Sequence, residues 1–61
     1  MTKFQLFDSL VNGKVLHFPR VTGNYSGRVT GIELEDGSGH CFNVTVSDGQ
    51  NHKVIFVRTI D

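Results

Sequence analysis

The stretch RVTGIELEDGSGHCFNVTVS, residues 28–47, decides the fold. Its second half alternates. Phe42, Val44 and Val46 share one parity and Cys41, Asn43, Thr45 and Ser47 the other, the period-two pattern of a half-buried strand over Cys41 to Ser47. The first half, Arg28 to Asp36, also reads as a strand, with Val29 on one parity, Ile32 and Leu34 on the other and Gly31 at the change of phase. That shift implies a bulge or sharp bend at Gly31. Asp36-Gly37-Ser38-Gly39 joins the two halves and reads as a hairpin turn, because more than one of its positions tolerates positive φ.

Working outward, Thr22 to Gly27 (TGNYSG) reads as a loop, and Lys14 to Phe18 (KVLHF) as a strand ended by Pro19, which cannot donate to a sheet ladder. Ahead of these, Thr2 to Val11 spaces Phe4, Phe7 and Leu10, with Leu6 and Val11 beside them, so that they gather on one face of a short helix. Thr2 and Gln5 form a capping-box pair and Asn12-Gly13 is a helix stop. Toward the C-terminus, Asp48-Gly49 opens a turn and Lys53 to Ile60 (KVIFVRTI) forms the last strand. Val54, Phe56 and Ile60 lie on one of its parities and Ile55 and Val57 on the other, so both of its faces need cover.

Length and charge bound the function. A chain of 61 residues holds one domain, residues 1–61, and a core that buries only about 60% of the surface its unfolded form exposes. Domains this small gain stability from disulfides, metals or partner subunits. One cysteine, Cys41, and no Cys/His cluster leave oligomerisation. Six basic and six acidic side chains cancel, so there is no net positive field for sequence-independent nucleic-acid binding and any such binding rests on a local patch. The apolar runs are a few residues long, so neither a membrane span nor a secretory signal is expected, and the lone thiol suits a reducing cytoplasm.

A helix followed by four to five short strands, one bent at glycine, suits a strongly curved antiparallel sheet closing into a small barrel, a mainly β (all-β) fold. Here the chain resembles the SH3-like small barrels, and among them most the Sm-like fold. The resemblance is carried by the capped helix Thr2 to Val11 leading into Gly13-Lys14-Val15, by Gly23, Gly27, Val29 and Gly31 on the bent second strand, and by the closing Val54-Ile55-Phe56-Val57-Arg58. It implies a ring-shaped homo-oligomer, strand-to-strand subunit contacts and single-stranded RNA bound near the pore.

No residue pattern points to catalysis. Cys41 and His40 are neighbours, but adjacent strand residues point to opposite faces, which denies a nucleophile and base hydrogen-bond reach. His17, His40 and His52 match no standard zinc spacing. Glu33, Glu35 and Asp36 read as solvated, edge-protecting acids ahead of a turn. The expectation is therefore a protein that is not an enzyme and holds no cofactor or metal.

The segment Gly23 to Arg28 (GNYSGR) draws the binding reading. Its glycines allow close backbone approach, Asn24 and Ser26 offer hydrogen bonds, Tyr25 offers a ring to stack on a base, and Arg28 a guanidinium for phosphate. Lys14 and Arg20 lie nearby in sequence and Arg58 joins them from the last strand. The leading expectation is a non-catalytic small-barrel module binding RNA or single-stranded DNA through these residues, assembled as a homo-oligomer through Val54, Ile55, Phe56 and Val57. The competing expectation is a protein-interaction module, an adaptor or inhibitor of a host protein of the kind phages and mobile elements encode.

Overall fold

The computed structural model describes residues 1–20 and 23–61, Arg20 by its backbone alone. Thr2 starts the first element, α1 (Lys3–Asn12), through both halves of the expected box. Its hydroxyl accepts from the Gln5 N–H at 3.2 Å, and its own N–H donates to Gln5 Oε1 at 2.8 Å. Gly13 ends the helix in the left-handed region at φ 71°, donating its N–H to the Ser9 carbonyl, a conformation that disfavours side chains with a Cβ.

Four strands follow in chain order, β1 (Val15–Arg20), β2 (Gly23–Leu34), β3 (Cys41–Ser47) and β4 (His52–Arg58). Each pairs antiparallel with the next in one four-stranded sheet of order β1-β2-β3-β4. The fold is mainly β with one short N-terminal helix, but the sheet does not close into a barrel: among the described residues no ladder joins β1 to β4. The two edge strands instead face each other across a cleft of about 210 Å³ lined by Met1, Phe18, Pro19 and the β4 residues Ile55 to Arg58.

Three boundaries differ from expectation. Pro19 lies inside β1, paired with Asn24; on an edge strand its missing N–H can face away from the ladder at no cost in hydrogen bonds. Gly23 to Gly27 is not a loop but the first part of β2, in register with Leu16 to Arg20. Thr22, the start of that expected loop, lies outside the described residues. β4 stops at Arg58, short of Ile60: Thr59 N–H still donates to His40, the next carbonyl in the β3 register, at 2.7 Å, and the tail then leaves the ladder, with Ile60 N–H donating to the Met1 carbonyl at 3.1 Å.

The expected bulge is present. Val29 pairs with Val46 and Gly31 with Thr45, which leaves Thr30 as the extra residue. Val29, Ile32 and Leu34 thereby stand opposite Val46, Val44 and Phe42, all on one face of the sheet. That inner face carries the core of Phe18, Val29, Phe42, Val44, Val46, Ile55 and Val57, and α1 covers it with Leu6. The expected helical face is corrected by the structure. Leu6 and Ser9 are the buried residues of α1, while Phe4, Phe7, Leu10 and Val11 are exposed. Buried Ser9 clamps the helix to the bend: its Oγ donates to the Lys14 carbonyl at 2.5 Å and accepts from the Val29 N–H at 2.9 Å.

Candidate functional site

Strand parity sorts the candidate residues by face. Tyr25 follows the inner parity: its ring packs on the core, and its Oη is buried with no hydrogen-bond partner among the described residues. Burial, with the Asp48 carboxylate adding to it, pushes the Tyr25 phenol above its usual pKa. Lys53 Nζ lies 5.4 Å from the ring centroid, within cation–π range. Asn24 and Arg28, on the opposite parity, are exposed on the outer face. The sheet thus separates Tyr25 from the two residues read beside it in sequence.

The outer face is the side that α1 leaves bare. Arg28 stands opposite Ser47 at one end of β3, and Arg58 opposite Cys41 at the other. Six residue steps along β3 separate these positions, roughly 20 Å of extended chain. The expected basic cluster is therefore spread out rather than gathered: Lys14 precedes β1 near the Arg28 end, Arg58 lies at the far end, and the Arg20 side chain is outside the described residues. Of the four expected interface residues, Ile55 and Val57 are buried in the protein's own core, whereas Val54 and Phe56 are 65% and 50% exposed.

Two shallow depressions adjoin β3 on this side, and a third lies past its Cys41 end, at Arg58 and the C-terminal tail. At one end Val15, Ser26, Gly27, Arg28, Ser47, Asp48 and Gly49 line a volume of about 280 Å³. In the middle Gly31, Ile32, Glu33, Asn43, Thr45 and Val54 line about 220 Å³. Arg58, His40, Thr59, Ile60 and Asp61 line about 450 Å³ at the other end. Gly27 is where backbone meets backbone: a Cβ there would run into the Ser47 carbonyl and lie 2.7 Å from Val46 Cγ1, so only glycine fits without displacement.

The acids beside this track are largely engaged. Asp48 accepts from the Gln50 and Asn51 N–H groups at 2.9 and 2.8 Å, and the Asn51 and Gln50 bonds hold its pKa below the usual carboxylate value. Asp61 caps the helix start, accepting from the Lys3 N–H at 3.0 Å, and this bond lowers its pKa. Asp36 accepts from the Ser38 hydroxyl and N–H, with the same effect. Glu35 accepts from the Asn43 amide, and Glu33 remains as an exposed acid mid-face. Asp36, Asp48 and Asp61 keep their charge at neutral pH, so each end of the track sets an arginine beside a charged aspartate, Arg28 with Asp48 and Arg58 with Asp61.

Among the described residues there is no group of three or more His, Cys, Asp or Glu placed to hold a metal, and no helix long and apolar enough to cross a membrane. His17 Nδ1 meets Ser26 Oγ at 2.7 Å across β1 and β2, and His40 Nδ1 meets the Asp61 carbonyl at 2.7 Å. Sequence reading missed Asn43, Thr45 and the exposed parity of β4 as parts of one surface. The alternation Cys41-Asn43-Thr45-Ser47 marks a solvated face, but only the register reveals that Arg28 and Arg58 flank it. Comparison with family models, curated proteins and solved structures finds no match to this chain.

Proposed function

We propose that the protein is a non-catalytic binding module that holds single-stranded nucleic acid, RNA first among them, along the outer face of its sheet. The observation that carries this reading is the track along β3, ended by Arg28 and Arg58 and bordered by exposed Val54 and Phe56. In this reading the arginines neutralise phosphates, Phe56 offers a π-face to a base, and Asn24, Asn43 and Thr45 meet base edges. The length between the arginines suits a run of about four nucleotides, the lower end of the site sizes small barrels use. A capped helix entering an antiparallel meander bent at its second strand supports an SH3-like, Sm-like kinship in kind, and with it a homo-oligomer.

The test is anisotropy of labelled single-stranded RNA and DNA across a salt series. Two phosphate contacts give a log–log salt slope of about −1.4, and each of Arg28→Ala and Arg58→Ala removes about half of it. Absence of binding at low salt overturns the reading. In that case a protein-interaction module takes its place, favoured by Val54 and Phe56 on an otherwise polar face.

A further inference from the structure

We propose that the outward ridge of α1 is the contact surface for a second copy of this chain, paired about a two-fold axis. Leu6 and Ser9 point to the sheet; at 3.6 residues per turn, Phe4, Phe7 and Val11 then gather on the opposite side of the helix, with Leu10 at the shoulder. Their exposures are 74% for Phe4, 46% for Phe7, 77% for Val11 and 38% for Leu10. An amphipathic helix on a small domain ordinarily turns such residues inward; this one spends one leucine and a serine on the core and leaves two phenylalanines outside.

Area selects the occupant. These four side chains offer on the order of 500 Å² per copy, so a symmetric pair buries on the order of 1,000 Å², the lower bound for a specific interface. A two-fold contact is self-complementary, so one apolar ridge serves both partners. The polar groups beside the ridge are already satisfied within the chain and need nothing from the mate: Asn12 Nδ2 donates to Asp8 at 2.6 Å and Lys3 Nζ to the Asp61 carbonyl at 3.0 Å. Because α1 lies on the inner side of the sheet, the pair keeps both outer faces exposed and pointing away from each other, giving two tracks per dimer.

Sedimentation equilibrium over roughly 1 µM to 1 mM tests this, since that range brackets the affinities a small apolar interface delivers. The unmodified chain is expected to dimerise. Phe4→Lys and Val11→Lys alter side chains outside the core, so the far-UV circular dichroism should hold while each raises the dissociation constant by on the order of 30-fold. Val54→Lys, on the outer face, should leave the dimer intact. A monomer throughout the range overturns the proposal. So does a dimer that survives both helix substitutions or that Val54→Lys breaks, the latter placing the contact on β4.

Discussion

Ser9 is the residue on which the helix and the bent strand depend together. Its hydroxyl satisfies the Lys14 carbonyl and the Val29 N–H at the start of the bulge, and its side chain is fully buried. Ser9→Ala removes both bonds and leaves the Val29 donor buried without a partner, a loss of about 1 to 3 kcal/mol measurable by urea denaturation. The glycines divide in the same way. Gly27→Ala forces a Cβ against the Ser47 backbone, where overpacking costs about 1 to 3 kcal/mol or more. Gly31→Ala meets only Thr45 at ordinary contact distance and has no positive φ, so its melting temperature should stay close to that of the unmodified chain. Sequence pointed to Gly31 because the phase change is visible there, but the bulge absorbs Thr30 and needs no glycine conformation. The close approach of β3 to Gly27 is a tertiary fact that no local pattern carries.

At the scale of elements, the caps and turns were the most legible parts. Thr2, Gln5 and Gly13 bound α1 as their types demand, and Asp36 and Asp48 fold their turns by accepting the N–H groups two or three residues on, with Gly39 and Gly49 at positive φ. These carboxylates, with Asp61 at the helix start, have a stability signature. Their folded pKa values lie below the ordinary 3.8, so the folded state binds protons less readily than the unfolded chain. The stability they contribute is complete above about pH 5 and is lost as pH falls below about 4. Thermal melts between neutral pH and pH 3 should show a plateau and then a decline, and Asp48→Ala should shrink that decline; a melting temperature that rises on acidification contradicts the assignment. The helix face was less legible, because the spacing of Phe4, Phe7 and Leu10 shows that they lie near one another, not which way they point. Ser9 decides that through bonds to residues five and twenty positions away, and Leu6 by packing into the core.

Over the whole molecule, a single fact organises the structure and underlies the proposed function: the sheet has an inner face covered by α1 and an outer face left bare. The period-two pattern of β3 announced one apolar and one solvated face. Closure into a barrel did not follow, because curvature at one bulge brings β1 and β4 across a cleft without joining their ladders. The separation of Tyr25 from Arg28 was equally hidden, since reading Gly23 to Gly27 as a loop placed no constraint on parity, whereas its pairing with β1 fixes alternate faces. The most direct measurement is an NMR titration of isotopically labelled protein with a short single-stranded RNA, following the Arg28 and Arg58 Nε–Hε groups, the Phe56 ring and the Phe4 and Phe7 rings. The expected result is saturable shifts at Arg28, Arg58 and Phe56, with the helix rings unmoved. Shifts confined to Phe4 and Phe7, or none at any of these groups at low salt, would contradict an outer-face binding track.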